Sequence, residues 1–383
     1  MTIQVALRGQ GTQAIPQALP IQGVECATAA FVGVAHQGPF VSVAVESQLQ
    51  FEAFFGASAS LAGRDAPNYL WHAVKGFFDN GGRTVHVTRL RTVDPDDIEV
   101  EEHALAQALD ALQANREAVL LCAPGVRLVQ GHERLCEMLL QHCETQGWRF
   151  ALLDPPPGAA PKQARALRER LRSGHGALYY PWIAVRSAFA SEANDDTVLV
   201  PPSGHVAGLY ADSDDQPGTH KVPANLPLAG ALTLERPIDD GDYGALALLA
   251  VNCLRSPPSR GGVWVWGART LGEDSEANFV AVRRYLLYLH KSLERGLELV
   301  RYQPNGELLW DEIGRVVSDY LFREWRMGAL MGASAQEAYF VRCDRSSLPY
   351  ADLEAGRAVV QLGVALVKPA QFVHLRLALQ PQV

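Results

Sequence analysis

The chain has 383 residues, 48% hydrophobic and 20% charged, with 42 acidic against 34 basic residues and a net charge of −8. That length allows two domains with sizeable cores, and the composition is that of an ordinary soluble protein. The acidic balance excludes a nucleic-acid wrapper, which needs excess Lys and Arg against phosphates, and the longest apolar run, Ala245–Val251, is too short to cross a bilayer.

Thr2–Leu7 alternates Ile3, Val5 and Leu7 against Thr2, Gln4 and Ala6, the period of a half-exposed strand. This start has neither a basic segment nor an apolar core, so no secretory signal is expected, and synthesis in a cytoplasm is. Arg8–Gly23 carries Gly9, Gly11, Pro16, Pro20 and Gly23 with little periodicity and reads as a linker. Extended at roughly 3.3 Å per residue, it reaches about 50 Å. A strand on such a tether can pair with a neighbouring subunit; composition alone favours its own sheet or a disordered terminus.

From Ala29 the chain becomes compact. Phe31–Ala35 is a short apolar strand, Ser47 caps a helix carrying Leu49, Phe51, Phe54 and Phe55, and Tyr69–Phe78 is a helix stopped by Asn80-Gly81-Gly82. Thr84–Leu90 follows as a strand. Helices and strands then alternate: helix Glu102–Asn115, strand Ala118–Cys122, helix Gly131–Gln146, strand Phe150–Leu153, helix Pro161–Arg172 and strand Ala177–Val185. Short apolar strands separated by amphipathic helices predict right-handed βαβ units and a mostly parallel sheet covered on both faces, an α/β fold.

Ser187–Pro227 is polar and rich in Pro, Gly and Asp, so it reads as surface loop with a helical turn at Val206–Tyr210. A helix near Tyr243–Val251 leads to Gly261–Glu294. There Val263 and Val265 alternate with Trp264 and Trp266, which read as core, before Gly267 breaks the strand. Asp274 or Ser275 can cap the next helix, whose stripe is Phe279, Val282, Leu286, Leu289 and Leu293, with Arg283 and Arg284 beside it. A second amphipathic helix spans Leu309–Met327. Strands at Ala338–Cys343, Val359–Val367 and Phe372–Leu379 close the chain, the last with Val373, Leu375, Leu377 and Leu379 facing one way.

Chemistry is sparse. Six cysteines, at 26, 122, 136, 143, 253 and 343, form no CxxC pair and read as reduced and buried. His132, Cys136 and Cys143 share a helical face, but one helix rarely supplies three converging ligands, so no metal is expected. A protease order would use Asp154, His175 or His205, and a serine; Ser203 precedes His205, and no serine sits in a glycine-flanked turn opening an apolar helix. No glycine loop follows a strand to approach phosphate, and Asp154-Pro-Pro-Pro-Gly lacks the N–H donors phosphate needs. Asp94–Asp97 and Asp212, Asp214 and Asp215 read as solvated loops without calcium spacing.

WGARTL (Trp266–Leu271) followed by the paired-arginine helix resembles the end of contractile tail sheath proteins, which jacket phage tails, R-type bacteriocins and related injection particles. CATAAFVGVAHQGPF (Cys26–Phe40), QFEAFFGA (Gln50–Ala57), AVKGFFDNGGRTVHVTRL (Ala73–Leu90), PPSGHVAGLYADSD (Pro201–Asp214), HKVPAN (His220–Asn225) and VNCLR (Val251–Arg255) are similar to that family in order. The N-terminal arm departs from it, with TIQVAL in place of an acidic, tyrosine-containing start.

The resemblance implies a structural polymer subunit, not an enzyme, with no cofactor. It implies an N-terminal arm and linker at 1–23, a sheath core from 24–92 and 252–368, a subtilisin-like α/β domain at 93–251 inserted into that α+β core, and a C-terminal arm at 369–383. Partners would be the chain itself in hexameric rings stacked helically, an inner tube protein, and baseplate and tail-terminator proteins, with no nucleic acid and no membrane insertion. Ile3, Val5, Leu7, Val373, Leu375 and Leu377 would pair strands between subunits. Arg283 and Arg284 are candidates for tube contact, or ordinary surface charges, one of them pairing with Glu273 or Glu276. The competing readings are a sheath-like baseplate protein and an α/β enzyme; a deep polar pocket at the ends of Ala118–Cys122 and Phe150–Leu153 would favour the enzyme.

Overall fold

The computed structural model describes residues 20–57, 61, 67–93, 99–187, 196–215, 219–273, 278–298, 303–345 and 349–379. The expected strand Thr2–Leu7, most of its linker, the acidic run Asp94–Asp97 and the expected caps Asp274 and Ser275 lie outside the described residues. The chain divides into two compact units: Val24–Leu289, and the described residues of Met1–Gly23 with His290–Val383.

The larger unit is built on a mixed sheet. Its parallel strands are β1 (Ala29–Gly33), β3 (Val85–Arg89), β5 (Leu120–Cys122), β7 (Phe150–Leu153), β8 (Gly176–Tyr180) and β13 (Val251–Arg255), in the order β3-β1-β5-β7-β8-β13. β2 (Val43–Val45) adds antiparallel to β3 at one edge. At the other, β14 (Trp264–Val265) and β11 (Leu226–Pro227) add antiparallel. β4 (Glu99–Val100) and β6 (Arg127–Leu128) pair with each other outside this sheet. The boundaries expected at 92/93 and 251/252 fall inside this sheet, because β1 pairs with both β3 and β5, and β13 with β8.

Apolar side chains alternate between the two faces, which is why β1, β5, β7 and β8 read as continuous apolar runs. Phe31, Leu120, Phe150, Leu152 and Tyr179 join one buried cluster. α2 (Tyr69–Asp79) and α6 (Ser203–Asp215) cover it with Trp71, Val74, Phe77, Val206 and Tyr210. Val32, Leu121, Ala151, Leu153 and Leu178 point the other way. There α3 (Glu102–Gln113), α4 (His132–Gln146), α5 (Pro161–Arg170) and α7 (Asp240–Leu248) supply Leu105, Leu109, Leu135, Leu139, Leu167 and Leu246. α1 (Gln48–Phe55) is capped by Ser47, whose side chain accepts from the Gln50 N–H, and it buries Phe51 and Phe55.

Three readings change. The single strand expected over Ala177–Val185 is two, β8 and β9 (Ile183–Arg186), separated at Pro181, which has no N–H for a ladder. β9 pairs instead with β10 (Thr197–Val200) and β12 (Ala231–Leu234). The helix near Tyr243–Val251 starts earlier, because the Asp239 carboxylate caps it by accepting from the Asp242 N–H at 2.7 Å, and Val251 already belongs to β13. Third, the polar Ser187–Pro227 segment holds α6, one of the most buried helices: Val206, Ala207, Tyr210 and Ala211 are inaccessible. Small residues permit it. A Cβ on Gly204 would lie 2.5 Å from Ala73, and one on Gly208 2.3 Å from the Phe77 carbonyl. Glycines four residues apart thus let α6 press against the backbone of α2.

The second unit packs α9 (Glu307–Arg326) against β15 (Tyr339–Arg342) and β16 (Ala358–Ala365). Its buried stripe is Leu309, Trp310, Ile313, Val316, Val317, Tyr320 and Leu321. β16 lies between β15 and β17 (Phe372–Leu379), antiparallel to both. The short helices α10 (Ala335–Ala338) and α11 (Tyr350–Glu354) lie in the connections. α8 (Val280–Gly296) contributes residues to both units.

Candidate functional site

The α8 arginines have different fates. Arg284 is 3% exposed and reaches Asp214, near the end of α6. Its Nη1 donates to Asp214 Oδ1 at 2.9 Å and its Nη2 to Oδ2 and to the Cys26 carbonyl, while the guanidinium lies 4.7 Å over the Tyr210 ring. Burial pulls the Arg284 pKa down, but the Asp214 charge and hydrogen bonds outweigh it and the net shift is upward. Tyr210 in turn bonds Tyr179 of β8 through their hydroxyls. Arg284 is therefore buried rather than a surface charge, and Asp214 no solvated loop residue: the pair ties α8 to α6. Glu273, expected as a partner, pairs with Arg172 at 2.6 Å; Glu276 lies outside the described residues. Arg283, half-buried, donates from Nε to the Gly174 carbonyl at 3.0 Å, where a Cβ would clash with its guanidinium at 2.1 Å.

The tryptophans expected in the core are rim residues. Val263 and Val265 are buried and Trp264 and Trp266 half-exposed, since strand alternation points one set inward and the other outward.

The place where a doubly wound sheet binds ligands is at the carboxyl ends of β1 and β5, where the winding reverses. Here that crevice is filled. Gly125 adopts a left-handed conformation, φ 65°, and the Tyr69 ring presses on it so closely that a Cβ would lie 2.1 Å from Cδ2. Beside it, past β7, is a cavity of about 460 Å³ lined mainly by apolar groups, among them Leu135, Cys136, Leu139, Pro155 and Trp182. Tyr69 and Trp182 meet edge to face at 5.3 Å.

Asp154, at this cavity, is already engaged: Oδ1 accepts from the Ser203 N–H at 2.9 Å and Oδ2 from the Ser203 hydroxyl at 2.5 Å, which fixes the start of α6. His132 Nε2 lies 2.7 Å from the Asp154 carbonyl, and His175 Nδ1 is 3.1 Å from the Arg149 carbonyl. Asp154 and Ser203 therefore touch directly, with no histidine relaying between them. Cys136 and Cys143 are buried thiols pushed well up by desolvation, and no cluster of three metal-ligating side chains occurs among the described residues.

Two buried groups on this scaffold titrate oppositely. Burial raises Asp154 to about 7, against the Ser203 hydrogen bonds. Burial, with His72 and Lys75, lowers His205 to about 3; its Nδ1 has no hydrogen-bond partner among the described residues. Between the unfolded aspartate pKa of about 4 and 7, the native state holds the Asp154 proton that the unfolded chain has released, so stability falls as pH rises. Between 6.5 and 3 the unfolded chain protonates the histidine and the native state does not, so stability falls as pH drops. The two slopes oppose each other in the same window. Asp154→Asn, which keeps an acceptor for Ser203, is expected to unmask a loss on the order of 2 kcal/mol between pH 6.5 and 4.5. Urea midpoints at the two pH values, for variant and parent, check it; a variant whose stability changes with pH no more than the parent's contradicts the opposition.

β17 pairs with β16 of its own chain over eight residues, from Ala358↔Leu379 to Ala365↔Phe372. Val373, Leu375, Leu377 and Leu379 share one face, with Leu377 and Leu379 buried, and His374, Arg376 and Ala378 are exposed. Asp352 of α11, 5% exposed, accepts from Arg357 Nε at 2.7 Å and from Arg376 Nη2. Ala370, in the connection to β17, has φ 58°. β17 is an edge strand among the described residues, so one row of its backbone groups is unpaired. Ile3, Val5 and Leu7 lie outside the described residues.

Residues 99–271 match the family model of the phage tail sheath protein central domain. The contracted helical sheath of the anti-feeding prophage is 25% identical to this chain, covers 98% of it and 99% of its own length, and superposes with a TM-score of 0.76. The contracted sheath of an extracellular contractile injection system, the PVC sheath complex, is 23% identical, covers 98% of each chain and gives a TM-score of 0.76. A chain of the anti-feeding prophage baseplate is 25% identical, with 98% and 99% covered and a TM-score of 0.75. No curated protein matches the sequence.

Proposed function

We infer, from the premise that this chain is a contractile tail sheath protein, that it is the repeating structural subunit of a jacket assembled helically around an inner tube. On contraction the jacket drives that tube through a target envelope. The observation that carries this reading is the end-to-end match of the fold with sheaths solved in their contracted state. The likeness to a baseplate chain supports a second place for the same fold, at the tail end.

The α/β unit Val24–Leu289 corresponds to the sheath body, including the part that the resemblance describes as subtilisin-like, and the His290–Val383 unit carries subunit linkage. Its β15-β16-β17 sheet ends in an open edge, the feature that a neighbour's strand needs for augmentation. Ile3, Val5 and Leu7 are the strand we assign to such an edge, and Val373, Leu375 and Leu377 hold the accepting sheet in register. Each ladder bond contributes about 0.5–1.5 kcal/mol, and repetition along a polymer makes a continuous mesh. Any tube contact from α8 falls to Arg283, since Arg284 is buried. Contraction is then a switch between two packings of folded subunits. Hexameric rings, a tube, a baseplate and a terminator are the partners this role requires, with assembly in a bacterial cytoplasm and deployment on a virion tail or released particle. No helix among the described residues is long and apolar enough to cross a membrane.

Purified chain is expected to form long hollow tubes by negative-stain microscopy. Deleting Met1–Gly9 is expected to leave the melting transition unchanged and abolish tubes. Tubes of normal length from the deleted chain would remove the N-terminal strand from the mechanism.

A further inference from the structure

The outer end of the β13–β14 hairpin carries a partly exposed ladder of aromatic rings and guanidinium groups. Arg255 lies 4.8 Å from the Tyr243 ring and 5.8 Å from that of Trp266, and Arg260 lies 5.6 Å from Trp266 and 5.0 Å from Trp264. Across a cleft of about 280 Å³, floored by Val251, Asn252 and Cys253, Arg269 lies 4.9 Å over the Phe279 ring. Arg255 pairs with Asp240 at 2.7 Å. Arg260 and Arg269 are exposed, and neither has a carboxylate partner among the described residues. Val222, which lines the cleft, is 52% exposed, and Leu248, next to its lining residue Ala247, is 88% exposed.

This is an unusual way to leave a surface. Tryptophan, tyrosine and arginine are the residues that dominate binding energy at protein interfaces, and stacking on a ring holds a guanidinium in place before a partner arrives. The cleft asks for an occupant with carboxylates at its margins and an aliphatic group between them. The chain carries 42 acidic against 34 basic residues, so its own surface offers that chemistry. The first turn of α9 has it in compact form. Leu308 is 72% exposed, Glu307 and Asp311 flank it one turn apart on the same helix face, and neither carboxylate has a basic partner among the described residues.

We propose that the Tyr243–Phe279 cradle is a contact between copies of this chain, in which Arg260 and Arg269 clasp Glu307 and Asp311 of a second copy around its Leu308. The inference rests on the sheath reading for its setting and adds a lateral contact that does not use backbone strand pairing. Such a side-chain clasp is salt-sensitive and reversible, whereas a strand ladder is neither to the same degree.

Charge reversal in the full-length chain tests it. Arg260→Glu with Arg269→Glu, both at exposed positions, is expected to leave the melting transition unchanged and to lower the pelletable polymer at least about tenfold. Glu307→Arg with Asp311→Arg is expected to do the same. Combining all four restores polymer to within about threefold of the parent. Parental polymer from the first variant, or a combined variant as poor as either pair alone, overturns the proposal. A parent that forms no tubes defeats the sheath reading instead, and the clasp is then read from self-association by analytical ultracentrifugation with the same variants and the same two overturning outcomes.

Discussion

Replacing Arg284 with alanine is expected to destabilise the Val24–Leu289 unit by about 3–5 kcal/mol, the cost of leaving a buried charge without its partner. The side chains of Arg284 and Asp214 are 2% and 4% exposed, so water cannot take the place of the missing group. The loss extends beyond one ion pair: the guanidinium also donates to the Cys26 carbonyl, just before β1, and covers the Tyr210 ring, which bonds Tyr179 in β8. Asp214→Asn is expected to cost nearly as much, since it leaves the cation buried. Arg284→Met with Asp214→Leu removes both charges and is expected to recover much of the loss, because a buried pair often does no better than an apolar isostere. Arg283→Ala gives the contrast, at about 1 kcal/mol for a half-buried hydrogen bond to Gly174. Urea denaturation of the four variants orders them, and an Arg284→Ala chain within 1 kcal/mol of the parent would contradict the assignment.

That pair also marks how far the sequence could be read. The stripe Phe279, Val282, Leu286, Leu289 and Leu293 fixes which face of α8 is buried: the last four are buried, and Phe279, just ahead of the helix, is 37% exposed. Nothing in the local pattern says that Arg284, two residues from Val282, turns inward, because its partner lies 70 positions away in a segment that reads as polar loop. α6 was obscure for a physical reason. Its close approach to α2 depends on glycines, so it has little of the apolar periodicity by which an amphipathic helix is recognised. The spacing Gly204–Gly208 was the available signal.

β1, β5, β7 and β8 were legible because both faces are covered and they carry no charged residue, whereas β3 and β13 include His86, Thr88, Arg89, Asn252 and Arg255. The pairing of β1 between β3 and β5 was not legible, since strand order is set by crossovers rather than by any strand's own sequence. Trp264 and Trp266 misled for the opposite reason: large aromatic side chains suggest burial, and on the outward face of their strand they stand against arginines instead. Local periodicity located most elements to within a few residues, and the long-range partners that make a surface stayed invisible.

Truncating the chain after Gln371 is expected to abolish polymer entirely and to lower the stability of the His290–Val383 unit. β16 is buried along its length, with Val360, Leu362 and Val364 at 0% exposed, and β17 pairs with all eight of its residues. Without β17 those residues face water and a full row of N–H and C=O groups loses its partners, so the sheet that we assign to linkage has no stable edge to offer. Arg376→Glu separates linkage from bulk folding. It keeps the strand and its apolar face but turns the Asp352 contact repulsive, at an expected cost of about 1–3 kcal/mol, so the strand is held less firmly while the core stays intact. A peptide of Phe372–Val383 added to the truncated chain is expected to restore tubes, because strand addition depends on backbone pairing and alternate side-chain pockets rather than on covalent continuity. Tubes from the truncated chain without peptide would remove β17 from assembly. Failure of the peptide to restore tubes, in a truncated chain that still melts cooperatively, would show that β17 must be joined covalently to its own chain for assembly.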